Sequence, residues 1–367
     1  MSDDARFMAL AIALGARGLG QTWPNPSVGC VVVKDGRILG RGVTAPGGRP
    51  HAERVALNQA GPEAQGATAY VSLEPCSHTG KTPPCAEALI EAGVTRVVSA
   101  LKDPDPRVAG RGHAMLRAAG IVVDIGEGAA RAASSHSGFF QRIKSGRPHL
   151  TLKLATSFDG RIATATGESQ WITGPAARRL VHAERARHDA VLVGAGTARD
   201  DDPSLTVRGL GPIAQPVRVV ASRHLNLPQN SQLGTSAKDS PVWVIHDGAD
   251  GAIGPEMLQT WANLGVTCIP AAPGPGAQLS PAAILDALGQ KGITRVFCEG
   301  GGALAASFLQ AGLVNDLIGF TAGVALGAEG RPALGAMGLD ALSDAARFDL
   351  VECRRVGDDV LHRWRAR

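Results

Sequence analysis

From Gly29 to Asp124 the chain alternates short apolar, β-branched runs with stretches of helical pattern, and from His149 the alternation starts afresh. Few folds accept that rhythm. Strands joined by helices pair side by side with the helices on the sheet faces, which gives a mostly parallel, three-layer α/β domain. The spacing predicts a helix over Asp3–Arg17, strands over Gly29–Val33 and Ile38–Val43 turned at Lys34-Asp35-Gly36, and a helix starting near His51. Strands over Ala67–Leu73, Thr95–Ala100 and Ile121–Asp124 alternate with helices over Pro84–Ala92 and Arg111–Ala119, and a helical stretch covers Ala129–Lys144. The turn residues Ser145-Gly146-Arg147-Pro148 mark a boundary between two domains, 1–146 and 147–367. The second reads as another α/β domain, with strands over His149–Ala155, Asp189–Val193, Val217–Ala221, Val242–His246 and Arg295–Cys298. Its end, from Leu313, is strand-rich, and Ala271–Gly276 reads as a loop.

Composition narrows the function classes. The chain has 367 residues, 44% hydrophobic and 19% charged, so two ordinary cores can be buried and disorder is not expected. Aromatics are only 4%, with one Tyr, and 37 basic residues face 33 acidic ones with no basic run. A surface that stacks single-stranded bases needs more of both, so no nucleic-acid partner is expected. No apolar run reaches the length of a membrane span. The apolar stretch Met8–Leu14 follows Asp3 and Asp4, where a signal peptide carries positive charge, so it reads as an amphipathic helix. Six cysteines are too few for a disulfide scaffold, and free thiols fit a cytoplasmic location. Cys30, Cys268, Cys298 and Cys353 read as small buried hydrophobes.

Cys76 and Cys85 belong to a different pattern. His51-Ala52-Glu53 is followed by Pro75-Cys76 and then Cys85. A catalytic zinc site takes three protein ligands and leaves one position for water, and one imidazole with two thiolates supplies such a set. A further group must carry protons from water to the departing ammonia. Glu53 is placed for that, and in zinc deaminases this glutamate is not a ligand. Pro83 and Pro84 set Cys85 at a helix N-terminus, where the helix dipole favours a thiolate. The pattern points to a zinc-dependent deaminase acting on an amino-substituted nitrogen heterocycle.

The eight-residue linker between the cysteines is longer than the usual Cys-x-x-Cys. The run Leu73-Glu74-Pro75-Cys76-Ser77-His78-Thr79-Gly80-Lys81-Thr82-Pro83-Pro84-Cys85 closely resembles the bifunctional deaminase–reductases of riboflavin biosynthesis. Asn25-Pro26-Ser27-Val28-Gly29, Gly48-Arg49-Pro50-His51-Ala52-Glu53 and the segment from Lys102 to Gly112 agree with it. So do, in the second half, Leu152–Gly160, Gly167–Thr173, Asp201–Arg208 and Glu299-Gly300-Gly301, so the resemblance covers nearly the whole chain. It implies a cytidine-deaminase-like three-layer domain followed by a dihydrofolate-reductase-like α/β domain. The first would remove the 2-amino group of 2,5-diamino-6-ribosylamino-4(3H)-pyrimidinone 5′-phosphate. The second would use NADPH to reduce the ribosyl chain of the product to ribityl.

Site residues follow by the same resemblance. Zn²⁺ would lie on His51, Cys76 and Cys85, with Glu53 catalytic and Asn25, Lys81 and Asp103 on the deaminase substrate. Lys153, Ser169, Arg185, Leu205, Arg208 and Glu299 would meet the reductase substrate, and arginine suits its phosphate. Ala155, Trp171, Thr197, Asp201, Gly301 and Gly302 would meet NADPH. A homodimer or homotetramer is implied as well. Three positions depart from the family pattern. Thr44 stands for a histidine, Ser222 for an aspartate beside Arg223, and Ala322-Gly323 for Ala-Pro. Arg223 is left as a candidate for the 2′-phosphate of NADPH. Two alternatives stay open: a cytosine- or adenosine-type deaminase with an appended domain, and a non-catalytic binding protein on a deaminase fold.

Overall fold

The computed structural model describes residues 2–78, 83–274 and 278–367. The chain divides into two compact units, Met1–Gly146 and Arg147–Arg367.

In the first unit, α1 (Asp3–Arg17) opens on Ser2, whose side chain accepts the Ala5 N–H, with Asp3 and Asp4 in the first turn. Both features stabilise a helix N-terminus. Strands β1 (Gly29–Lys34) and β2 (Arg37–Val43) form a hairpin across Asp35-Gly36. Then come α2 (Ala52–Ala60), β3 (Thr68–Val71), α3 (Cys85–Glu91), β4 (Arg96–Ser99), α4 (Arg111–Ala118), β5 (Val122–Ile125), α5 (Ala129–Ser135) and α6 (Ser137–Ser145). The sheet order is β2-β1-β3-β4-β5. β1 runs antiparallel to both neighbours, while β3, β4 and β5 are parallel. Two of the four pairings are therefore antiparallel, more than the helix–strand alternation implies, because a hairpin needs no crossover helix.

Successive residues of β1 point to opposite faces. Cys30 and Val32 pack with Ala52, Ala56 and Leu57 of α2, and Val31 and Val33 with Phe7, Met8 and Ile12 of α1. Helices thus cover both faces, which is the three-layer arrangement. The stretch Ala129–Lys144 is two helices, not one. It breaks at His136, which is fully enclosed and meets the Ser72 Oγ through Nε2 at 3.2 Å.

The second unit starts with β6 (His149–Thr156), β7 (Arg161–Ala163), α7 (Pro175–Arg185), β8 (Ala190–Gly194), α8 (Ala195–Asp200) and β9 (Val217–Ala221). It continues with α9 (Gln232–Thr235), β10 (Val242–Asp247), α10 (Pro255–Asn263), β11 (Val266–Ala271), α11 (Pro281–Gln290), β12 (Arg295–Gly300) and α12 (Gly302–Gln310). It ends on β13 (Asp316–Thr321), β14 (Arg331–Pro332), β15 (Phe348–Val356) and β16 (Asp359–Ala366). Nine strands form one sheet in the order β11-β10-β9-β8-β12-β6-β13-β16-β15. It is parallel as far as β13, and β16 runs antiparallel to both β13 and β15. β8 is apolar throughout, as a strand covered on both faces requires, and β9 departs from that only at Arg218, whose buried guanidinium donates to oxygens of Ser204, Ser236 and Ser240.

Of the cysteines expected inside, Cys30 and Cys298 are buried, but Cys268 is half-buried and Cys353 is exposed. Cys268 lies on β11 and Cys353 on β15, the two edge strands of the large sheet, where the covering layer runs out.

Candidate active sites

His51 is the residue before α2, Cys85 is the first residue of α3, and Cys76 lies in the segment after β3. The three ends converge. His51 Nδ1 lies 3.3 Å from Cys85 Sγ and 3.5 Å from Cys76 Sγ, and the Cys85 N–H donates to Cys76 Sγ at 3.3 Å. All three ligand atoms lie within 4.8 Å of one another. Tetrahedral zinc with bonds of about 2.0–2.3 Å places its ligand atoms roughly 3.5 Å apart, so the donor set and its spacing fit that ion. The Cys85 thiol, hydrogen-bonded to Cys76, holds the Cys76 pKa down to about 4, with His51 helping against burial. Cys85, on the other side of that bond, moves in the opposite direction. Zinc binding would displace the thiol protons.

Glu53 stands in the first turn of α2, 2% exposed. Its Oε2 has no hydrogen-bond partner among the described residues. Burial first, and the negative charge of Cys76 second, raise its pKa to about 7. A carboxyl group poised there can hold or release a proton at neutral pH.

Asn25 is half-buried and donates from Nδ2 to the Gly48 carbonyl at 3.0 Å, three residues before His51. Asp103 lies in the segment after β4, 6% exposed, and burial raises its pKa to about 7. Lys81 lies outside the described residues. Thr44, at the histidine position of the family pattern, is buried, and its hydroxyl accepts the Val28 N–H at 3.0 Å. That hydroxyl is committed to the backbone. Ser77 Oγ and His78 Nδ1, just after Cys76, are buried without partners among the described residues. In the sequence both are plain linker residues, with no signal of their own.

In the second unit a cavity of about 570 Å³ opens at the carboxyl ends of β6, β8 and β12. Open parallel sheets bind ligands at that end. All twelve expected reductase residues line it. Lys153 and Ala155 come from β6, Ser169 and Trp171 from the segment after β7, and Arg185 from α7. Thr197 comes from α8, Asp201, Leu205 and Arg208 from the segment after α8, and Glu299, Gly301 and Gly302 from the β12–α12 turn. Gly301 holds φ +85°, and a Cβ there would stand 3.2 Å from Thr197 Oγ1. The turn therefore carries backbone only and stands on the cavity wall at the N-terminus of α12. That is the shape a cofactor phosphate needs.

Arg185 does not face solvent, as its place on a basic helix allows. Its guanidinium grips Glu299 through two contacts, Nε to Oε1 and Nη2 to Oε2 at 3.0 Å, and Nη1 donates to the Thr206 carbonyl at 2.8 Å. Burial works to raise the Glu299 pKa, but Arg185 and Lys153 outweigh it and hold the carboxyl below its usual range. Burial lowers the Lys153 pKa, with Glu299 opposing. Arg208 differs. It is exposed, only its backbone N–H is engaged (to His182 Nδ1, 3.2 Å), and its side chain has no partner among the described residues. Leu205 is 2% exposed with its side chain in the core, so only its backbone can meet a ligand. Trp171 is 66% exposed, with the Arg178 guanidinium 4.5 Å from its ring centroid, which removes the reading of it as core. Arg223 donates to Asp247 Oδ2 at 2.9 Å, which engages one edge of its guanidinium.

His182 and Gln232 also line the cavity and were not singled out from sequence. His182 stands three residues before Arg185, one helical turn, and that spacing was the available signal.

These features define a protein class: a three-ligand zinc deaminase in one unit and a nucleotide-cofactor reductase in the other. Residues 1–101 match the cytidine and deoxycytidylate deaminase zinc-binding region, and residues 148–362 match the RibD C-terminal domain. The chain is 42% identical to riboflavin biosynthesis protein RibD of Escherichia coli K12 over 98% of each chain. It is also 42% identical to RibD of Haemophilus influenzae, over 98% of this chain and 96% of the relative. Among solved structures, Acinetobacter baumannii RibD superposes with TM-score 0.87 at 41% identity, over 100% of this chain and 99% of that one. The Thermotoga maritima diaminohydroxyphosphoribosylaminopyrimidine deaminase/5-amino-6-(5-phosphoribosylamino)uracil reductase superposes at 0.86 with 34% identity, over 100% and 99%. The chain belongs to the RibD family of bifunctional riboflavin-biosynthesis enzymes, a zinc-dependent deaminase joined to an NADPH-dependent reductase.

Proposed function

We propose that residues 1–146 deaminate 2,5-diamino-6-ribosylamino-4(3H)-pyrimidinone 5′-phosphate and that residues 147–367 reduce the product's ribosyl chain to ribityl. The observation that carries the first step is the convergence of His51, Cys76 and Cys85 beside a buried, partnerless Glu53 oxygen. Those three residues hold zinc, which supplies Lewis-acid activation of water when bound. Glu53 takes a proton at Oε2 and returns it to the departing amino group. Asn25, Lys81 and Asp103 hold the substrate.

In the reductase the Gly301-Gly302 turn, Thr197, Asp201, Ala155 and Trp171 hold NADPH, the source of the hydride. Ser169, Lys153, Glu299 and the Leu205 backbone meet the sugar and the ring. The two arginines divide their work. Arg208, whose exposed guanidinium has no partner among the described residues, takes the substrate phosphate, while Arg185, locked on Glu299, fixes the carboxylate's orientation.

We further propose a cytoplasmic homo-oligomer. The six cysteines are free, as a reducing compartment keeps them, and no helix among the described residues is long and apolar enough to cross a membrane. The edge strand β15 exposes Leu350 and Val351 at 54% and 55%, which supports burial against a second copy. Light scattering on purified protein reads the assembly state.

The decisive assay follows ammonia release and NADPH oxidation on the diaminopyrimidinone ribotide. Both signals are expected, with ammonia abolished in Glu53→Gln at unchanged zinc content. Ammonia without NADPH oxidation would sink the reductase assignment. Silence in zinc-loaded protein would leave the binding-protein reading.

A further inference from the structure

Glu74 carries a carboxyl group that the chemistry above does not use. It sits between β3 and Cys76, and its side chain is fully enclosed. Oε2 accepts the N–H groups of Asp103 at 3.0 Å and Gly110 at 2.9 Å, and Oε1 accepts those of Gly112 at 3.0 Å and His113 at 3.2 Å. All four donors come from one stretch of chain, the link from β4 to α4 and the first turn of that helix. A buried polar group is tolerated when its hydrogen bonds are complete, and this one is complete on a neighbouring loop.

Two independent features show that the chain is drawn onto Glu74. A Cβ on Gly112 would stand 1.9 Å from the Pro75 carbonyl oxygen, so α4 begins in direct contact with the residue joining Glu74 to Cys76. Ala109, a non-glycine residue, takes φ +28° just before Gly110 turns its N–H to the carboxyl. The arrangement then reaches Asp103. Its Oδ1 is held by the Asp105 N–H at 2.8 Å, while Oδ2 has no hydrogen bond among the described residues. One carboxyl oxygen is anchored and the other is left for a ligand.

We propose that Glu74 is a positioning residue for deamination: it fastens the Asp103 segment to the Cys76 segment, so that Asp103 Oδ2 meets the substrate at a fixed place relative to the metal ligands. The inference rests on the reading of Asp103 as a substrate contact. Because Glu74 acts on binding through Asp103, its loss falls on KM and not on the chemical step.

The test is a double-mutant cycle on the full chain with zinc bound, using Glu74→Gln, Asp103→Asn and the pair. Glutamine keeps one acceptor oxygen and turns an NH₂ towards two N–H donors, so two of the four bonds go. Glu74→Gln is expected to raise the deaminase KM about tenfold. The kcat should change less than twofold, and zinc content and reductase rate on preformed deaminated product should be unchanged. In the Asp103→Asn background, Glu74→Gln should change KM less than twofold. Glu74→Asp, which keeps both oxygens on a shorter arm, should fall between wild type and Glu74→Gln. Multiplicative KM losses in the double variant would overturn the inference while leaving Asp103 as a ligand. So would loss of zinc or of kcat in both Glu74→Gln and Glu74→Asp. An Asp103→Asn enzyme with wild-type kcat/KM would overturn the Asp103 reading and the inference with it.

Discussion

Arg185 and Glu299 face each other in a two-pronged ion pair at the wall of the reductase cavity, with side chains only 11% and 10% exposed. The pair is sealed enough that removing one member leaves a charge with little water to replace it. Arg185→Met is expected to destabilise the second unit by about 3 kcal/mol, and Glu299→Gln by less, since the amide still accepts one bond. The double variant Arg185→Met/Glu299→Gln should recover part of the loss. Denaturant titration of each variant reads this, and additive losses across the pair would show that the two side chains act independently. Arg185→Lys should also fail in reduction, because an ammonium cannot span both carboxylate oxygens. Ammonia release should be unaffected in all four.

Arg208 offers a contrast in the same cavity. With no side-chain partner among the described residues, Arg208→Ala should leave stability within about 0.5 kcal/mol of wild type. It should raise the reductase KM for the phosphorylated substrate by about tenfold to a hundredfold and leave the dephosphorylated substrate nearly unaffected. Equal losses on both substrates would place the phosphate elsewhere.

Much of this was legible from the sequence because each signal is local. His51 and Cys85 stand at helix starts and Cys76 follows a strand end, and such ends can be read from prolines and from a change of period. The twelve cavity residues come from segments far apart, and family motifs, not periodicity, tied them together. Two kinds of residue stayed hidden. Glu74 shows only as an acidic residue beside a proline, since its four donors are backbone groups with no side-chain signature. The environments of Cys268 and Cys353 depend on which strands end up at the sheet edges, and strand order is not a local property. The His136 break is hidden for a similar reason: the Ser72 that meets its ring lies 64 positions away along the chain.

Asp103 trades stability for its place in the site. Burial raises its pKa from 3.8 to about 7, so the folded state prefers the protonated form. A raised carboxyl pKa contributes stability that is fully present below about 4 and lost as pH climbs through about 7. Asp103→Asn mimics the protonated form and keeps an oxygen for the Asp105 N–H. Its melting temperature should match wild type near pH 4 and exceed it at pH 8. A rise from 3.8 to about 7 caps the difference at about 4 kcal/mol. A constant difference across that range would mean that Asp103 does not titrate near 7. The same variant should lose deaminase kcat/KM, so the gain in stability and the loss of function come from one carboxyl group.

Gly301 isolates the cofactor turn from the rest of the fold. Its φ of +85° disfavours any side chain, by about 1–2 kcal/mol. A Cβ would also crowd Thr197 Oγ1 at 3.2 Å. Gly301→Ala is expected to raise the KM for NADPH at least tenfold and to leave deamination intact. Gly301→Ala/Thr197→Ser should not restore binding, because serine keeps the hydroxyl. Because Thr197 is itself a proposed cofactor contact, Gly301→Ala is also measured in a Thr197→Ala background: a smaller effect there would assign the loss to crowding, and an equal effect would assign it to backbone strain.

Zinc removal separates the two activities within one chain. The ion would join three elements of the first unit, the start of α2, the segment after β3 and the start of α3, and hold both thiols deprotonated. Chelation should therefore abolish ammonia release and lower the melting temperature of the first unit. NADPH oxidation on preformed deaminated product should persist. Alkylation followed by peptide mass mapping gives a readout that needs no catalysis. Cys353 is exposed and should label with or without metal, which makes it the internal control. Cys76 is half-buried and should label only after chelation, and Cys85, which is buried, should follow more slowly. Equal labelling of Cys76 in zinc-loaded and chelated protein would show that it is not a ligand, and the three-ligand site would have to be redrawn around His51 and Cys85.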